Sequence, residues 1–249
     1  MRAQQPCMQT FALRGKLFPH IIMNLSPTDD TTTCRCCGAC CEQGGPALHS
    51  EDLEIVNCRA IRWRDLVTIR PGEPAYDQRQ GRVLPAAREF IKLAGRQGSW
   101  NCKFYEKSQG CGIYGRRPLE CRLLFCRDTG PLEAVMGTDL LSRRDLLPGD
   151  DPVLPWLERL EREVAYLEVR DLLPGLARPH SPGENLARIT GLVRADLAIR
   201  ESFLRSFPDR VSEELFLLGR PLFLVISPYG FRLVEGVDGV GVQFIGPAC

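Results

Sequence analysis

Cys34-Arg35-Cys36-Cys37-Gly38-Ala39-Cys40-Cys41 is the stretch of this 249-residue chain whose reading decides the rest. Two residues separate Cys34 from Cys37, so a tight turn can aim both thiols at one metal ion. Gly38 permits positive φ directly after Cys37, and the backbone amides of such a turn can donate to thiolate sulfurs. A third thiol follows at Cys40 or Cys41. Neighbouring side chains point apart, so ordinary tetrahedral geometry takes one of the two. The other is left for a second site or as a buried thiol, and Cys36 adds a further thiol inside the motif.

Outward from this stretch, a second group comprises Cys102, Cys111, Cys121 and Cys126, and no cysteine occurs from residue 127 to 248. Pro118 suits the first position of a helix, where its missing N–H costs nothing. Cys121 then falls in the first turn, where peptide dipoles favour thiolate. Cys126 lies about one and a half turns further on and need not share that face. Four thiolates around a divalent ion leave a net charge of about −2, costly to bury alone. Arg35, Lys103, Arg116, Arg117, Arg122 and Arg127 flank the cysteines and can offset it. Cys7 and Cys58 have no partner at ligand spacing, and Cys249 is terminal. His49 lies near the first group, but a surface or capping role suits it better than ligation. Trp100, Phe104 and Tyr105 around Cys102 read as a dry shell for the site. Tyr114 and Arg117 read as fixing the loop before Pro118.

The ordered string Cys34-x-x-Cys37-Gly38-x-Cys40-Cys41, then Cys102, then Cys111-x-Ile113-Tyr114-x-x-Arg117-Pro118-x-x-Cys121-Arg122 resembles the YkgJ-type cysteine-cluster family of zinc- or iron-chelating proteins. The resemblance covers residues 34–126. It implies a metal-binding role for Cys34, Cys37, Cys40, Cys41, Cys102, Cys111 and Cys121, with zinc or iron as the metal. Cys126 is carried as a further candidate ligand, although Leu123-Leu124-Phe125-Cys126 departs from the family's usual Phe-Pro step. A related cluster in flagellin lysine N-methylases implies an iron–sulfur (4Fe-4S) centre as the alternative cofactor.

Composition narrows the function classes. The chain is 44% hydrophobic and 25% charged, ordinary values for a globular protein. Lysine plus arginine number 32 against 31 acidic residues, so no strong field favours nucleic acid or anionic lipid. No apolar run reaches the ~20 residues of a membrane helix. Near the N-terminus, Pro19 and His20 interrupt the apolar residues that an export signal would need. A cytoplasmic location is therefore expected, in which thiols stay reduced and dense cysteines bind metal rather than form disulfides. Neither a Ser-His-Asp set nor a phosphate-binding glycine loop is present. The expected function is metal binding without a defined catalytic activity. The alternatives are an iron–sulfur enzyme or electron carrier, with a protein partner or substrate, and a zinc-organised interaction module.

The expected fold is α+β: a loop-rich cysteine-cluster domain with short helices, a helical segment and a small C-terminal β-meander. The boundaries read as a flexible segment at 1–33, the cysteine cluster at 34–130, helices at 131–210, and a short helix with the meander at 211–249. A helix starts at Ser50, and a second short helix runs through Trp63, Leu66 and Val67. Ala86 to Leu93 is helical or extended. Leu157, Leu160, Val164 and Leu167 form one helical stripe. Another helix covers Glu184 to Phe207, with Leu186, Ile189, Val193 and Leu197 inward, and Pro208 stops it. A short helix includes Val211 to Leu218. Leu222 to Ile226, Phe231 to Glu235 and Val240 to Ile245 read as three short strands.

Overall fold

β4 (Phe90–Leu93) is the strand on which both cysteine groups are hung, in a computed structural model that describes residues 37–96, 99–173, 182–236 and 239–246. The expected segment 1–33, together with Cys7, Cys34, Cys36 and Cys249, lies outside the described residues, as does the Pro- and Gly-rich connection at 174–181. The chain enters through α1 (Ala39–Glu42) and then runs alongside β4. There the Leu93 N–H donates to Pro46 O at 3.0 Å and the Leu48 N–H to Ile91 O at 2.9 Å. A 3₁₀ turn at Ser50–Asp52 leads into α2 (Leu53–Asn57). The expected helix start at Ser50 is thus a 3₁₀ turn capped from His49.

The expected helix through Trp63, Leu66 and Val67 is instead a 3₁₀ turn at Trp63–Asp65 followed by β1 (Leu66–Ile69). All four residues of β1 are buried. The run Leu-Val-Thr-Ile is rich in β-branched side chains, which fit a pleated surface better than a helix. β1 pairs antiparallel with β4, Leu66 opposite Leu93 and Ile69 opposite Phe90. Between them β2 (Pro74–Asp77) and β3 (Arg82–Pro85) form a hairpin. The ambiguous stretch at Ala86 to Leu93 is thus extended over Phe90–Leu93.

Beyond β4, the strand direction continues to Gly95, which bridges Cys102. A minimal hairpin of β5 (Tyr105–Glu106) and β6 (Gly110–Cys111) follows, then α3 (Leu119–Leu123), α4 (Gly130–Val135) and α5 (Arg143–Leu146). The helical stripe predicted from Leu157 to Leu167 is broken. α6 (Leu154–Glu163) ends at Val164, and α7 (Tyr166–Leu172) begins after an extended Ala165. Leu157, Leu160 and Val164 are buried, whereas Leu167 is 57% exposed. The long α8 (Pro182–Ser206) agrees with the periodicity: Ile189 and Val193 are buried, and Leu186 and Leu197 pack against the same core.

After α8, a 3₁₀ turn at Pro208–Glu213 precedes α9 (Glu214–Leu217). The three-stranded meander is corrected to a hairpin of β7 (Phe231–Gly236) and β8 (Gly239–Phe244). Leu222–Ile226 is α10, with Leu222, Val225 and Ile226 buried. Those positions are spaced i, i+3, i+4, one helix face, behind the N-cap Pro221. The fold is α+β. One buried apolar cluster takes in Leu48 and Leu93 beside the cysteines, Leu160 and Phe203 in the helices, and Phe231 in the hairpin.

Arginines close several helix ends inside this core. Arg70 is fully buried, and its guanidinium donates to Leu160 O and Val164 O, at 3.1 and 2.7 Å, and to the Glu161 carboxylate. Arg143 donates to Leu217 O at 2.6 Å and Arg200 to Leu218 O at 3.0 Å. All four carbonyls lie at helix C-termini; Leu160 O also accepts the Val164 N–H at 2.9 Å, and the guanidinium groups add a partner there. A cation there also opposes the helix dipole.

Candidate metal centre

Gly38 sets the geometry of the first motif. It adopts φ +81°, and a Cβ placed there would lie 1.9 Å from Tyr105 Oη, so the Tyr105 side chain packs directly on the Gly38 backbone. A glycine is needed both for the left-handed conformation and for the close approach. α1 follows at once and carries Cys40 and Cys41, whose sulfurs are 4.0 Å apart. The Cys41 carbonyl accepts a hydrogen bond from the Cys102 N–H at 2.7 Å. This bond joins the first cysteine group to the second across sixty residues of chain.

Cys111 reaches the site on β6, where its register partner is Tyr105. Cys121 reaches it on α3, and two buried or half-buried carboxylates fix that helix. Asp52 accepts from the Leu119 N–H at 2.8 Å and from the His49 N–H at 3.0 Å. Glu120 accepts from the Ala47 N–H at 2.9 Å, and its other oxygen lies 3.3 Å from His49 Nε2. The loop entering α3 is held by Arg117, whose guanidinium carbon stacks 3.7 Å from the Tyr114 ring centroid. Pro118 is the N-cap of α3, one position before the helical residue expected, and Cys121 remains in the first turn.

The thiols are close enough to shape one another's ionisation. Burial pushes the Cys41 thiol up to about 12, with further upward contributions from Cys40, Cys102 and Cys111. Cys102 is raised by burial and by Cys111 and Cys40, while a backbone hydrogen bond from Phe104 and the Lys92 charge oppose this. Cys121 is pushed well above the ordinary thiol range by burial, then by Cys102, Cys40, Cys41 and Cys111. Burial and the neighbouring thiols thus act against the thiolate form that the start of α3 was expected to favour. Tyr105 is raised too, by burial first, then by Glu42 and by Cys41, Cys37 and Cys40.

Five thiols, Cys40, Cys41, Cys102, Cys111 and Cys121, thus belong to one electrostatic neighbourhood, and Cys37 adjoins it through Tyr105. Cys102 is buried, Cys41, Cys111 and Cys121 are half-buried, and Cys37 and Cys40 are exposed. Among the described residues, no three Cys, His, Asp or Glu side chains stand at metal-ligating separations. The chemistry of the donor set still fits a soft or borderline metal. Crowded thiols resist ionising together, and a divalent cation removes that resistance. Cys126 is exposed and lies beyond the end of α3. Cys58 is exposed, and its thiol donates to Ile55 O at 3.6 Å. His49 is 1% exposed and bound to Glu120, a positioning role rather than ligation.

Sequence reading missed Asp52, Glu120 and Lys92. Lys92 sits mid-strand in β4, with its ammonium 5.6 Å from the Trp100 ring centroid. Burial pulls this ammonium below the ordinary lysine range, opposed by Glu120 and Cys102 and aided by Arg220. Nothing local in the sequence marks Lys92, because the register that brings it to the cysteines is a tertiary property.

Comparison with known proteins agrees with the motif. Residues 33–129 match the family model CxxCxxCC, described as "Putative zinc- or iron-chelating domain". The match spans about two fifths of the chain and contains every cysteine of the two groups. No curated protein and no solved structure matches the chain. Among the described residues, no helix is long and apolar enough to cross a membrane.

Proposed function

We propose that this protein holds zinc or iron in a cluster of cysteine thiolates, a reading supported by the match of residues 33–129 to the CxxCxxCC family model. Cys37, Cys40, Cys41, Cys102, Cys111 and Cys121 are the candidate ligands among the described residues. Cys34 joins them on the spacing of the first motif, and Cys126 ranks behind them. The observation that carries this reading is the Cys102–Cys41 backbone bond, with Cys111 placed opposite Tyr105, whose ring packs on Gly38 beside Cys37. A reducing compartment such as the cytoplasm keeps such thiols available.

The same thiols admit a second reading, because an iron–sulfur (4Fe-4S) cluster takes four cysteine ligands as a single zinc ion does. The chain is then an electron carrier or a protein-modifying enzyme of the kind its motif resembles in flagellin lysine N-methylases.

Protein purified without oxygen is expected to carry zinc or iron by elemental analysis. A brown protein absorbing near ~400 nm identifies the iron–sulfur form, and a colourless one the zinc form. Replacing Cys37 or Cys121 by serine is expected to lower the bound metal sharply, whereas Cys58→Ser leaves it unchanged. Equal loss from Cys58→Ser overturns the ligand assignment.

A further inference from the structure

A metal held by several thiolates carries excess negative charge, and something must balance it. Among the described residues, three of the cations flanking the cysteines in sequence, Lys103, Arg117 and Arg122, are engaged elsewhere. Lys103 donates to Arg64 O at 2.8 Å and pairs with Asp65 at 2.7 Å. Arg122 pairs with Glu51 at 2.5 Å, and Arg117 lies on the Tyr114 ring. Arg96 senses Cys102, but its guanidinium is tied to Glu106 at the surface.

Lys92 is placed differently. Its strand neighbours Ile91 and Leu93 are buried in the core, and alternation along β4 sends Lys92 to the other face. On that face lies the turn that follows α1: a Cβ on Gly44 would be 3.8 Å from Lys92 Nζ. The Gly44 N–H bonds to Cys41 O, the carbonyl that also accepts from Cys102. The Trp100 indole, flanked by Lys92 at 5.6 Å and by Arg220 at 5.1 Å, covers the same region. Arg220 is itself occupied by Glu73 and Pro74 O. The charge of Lys92 acts on both Cys102 and Glu120.

We propose that Lys92 is a positioning residue for the metal centre, supplying from β4 the positive charge that balances the thiolates once metal is bound. The inference rests on the metal-binding reading of the cluster. It assigns a role that neither cysteine motif contains. In the metal-free protein Glu120 compensates the desolvation of this ammonium in part, and metal-bound thiolates add to that compensation. Lys92 therefore favours the loaded state over the empty one.

The test compares wild type with Lys92→Met, Lys92→Gln and Lys92→Arg in full-length protein, using Zn²⁺ and Co²⁺ against a competing chelator without oxygen. Melting of the metal-free proteins serves as the structural control. The proposal expects Lys92→Met and Lys92→Gln each to lose about tenfold or more in metal affinity, the size of effect seen when outer partners of ligands are removed. Lys92→Arg retains most of the affinity. Thiolate-to-cobalt absorption in the saturated variants keeps its wild-type shape, and the metal-free variants melt no lower than wild type. Unchanged affinity in both neutral variants overturns the proposal, as does an affinity loss in Lys92→Arg equal to theirs. A fall in metal-free melting temperature that parallels the affinity loss makes Lys92 a packing residue and overturns it as well. Failure of wild type itself to bind either metal refutes the reading of the cluster, a result distinct from all of these.

Discussion

Gly38 shows how closely the site depends on single atoms. With φ at +81° and Tyr105 Oη where a Cβ would stand, Gly38→Ala meets both backbone strain and a clash. The left-handed conformation alone costs a non-glycine residue about 1–2 kcal/mol. Gly38→Ala is expected to lower the midpoint of urea unfolding and to reduce bound metal, because Tyr105 and α1 must separate. An unchanged unfolding midpoint and metal content would contradict this packing. The need for glycine after Cys37 was legible from the motif, and so were the candidate ligands in both groups. The ring that fills the space was not, because Tyr105 is sixty-seven positions away and reaches Gly38 only through the β5–β6 hairpin. Lys92 was hidden for the same reason: a lysine in a short strand has no local signature of the charge it faces.

The placement of α3 is where local sequence and tertiary structure meet. Its five residues have little helical stability alone, since helices this short lack the bonds to offset nucleation. Asp52 and Glu120 dock it against residues 47–52 and so carry Cys121 to the other thiols. Asp52→Ala orphans the N–H groups of Leu119 and His49, at about 1–3 kcal/mol for each donor left unsatisfied. Its expected outcome is weaker metal retention under chelator challenge, although Asp52 touches no thiol. Helices with long periodicity were legible, as α8 shows. β1 and α10 were misread because four or five apolar residues fit either period, and burial on all sides erases the pattern. The break between α6 and α7 was also unreadable. Arg70 seals it from a different region of the chain, donating to Val164 O and sharing Leu160 O with the Val164 N–H. Glu161 completes that clamp. Burial alone raises its carboxyl, but Arg70 and Arg143 outweigh burial and hold it below its ordinary value of 4.5. A depressed folded value means stability that is present above the unfolded value and lost as pH falls through the folded one. Wild type is therefore expected to lose thermal stability as pH drops below about 4.5, and Glu161→Gln to lose less over that range. Identical pH profiles for the two proteins would contradict the clamp.

Across the whole molecule, charges buried in the helical region and thiols gathered near β4 share one apolar core. Asp196 is fully buried, accepting from Arg200 Nε and from the Leu222 N–H, both at 2.9 Å. Asp196→Ala leaves the Arg200 guanidinium with one carboxylate fewer in a dry setting. Breaking a buried pair in this way costs about 3–5 kcal/mol. Chemical denaturation should register that loss, while the folded variant keeps its metal content, since Asp196 holds α8 and α10 rather than the cysteines. Loss of metal from the folded variant would instead tie the ion pair to the site. The α+β class and the two cysteine groups could be read from composition and motif. The arginine-closed core could not, because exposed and buried arginines look alike in a sequence. X-ray absorption at the zinc and iron edges of protein purified without oxygen tests the central claim most directly. A bound metal surrounded by sulfur, with metal–sulfur distances of about 2.3 Å, is the predicted result. A folded protein with no metal, or with metal bound only through oxygen and nitrogen, would contradict it.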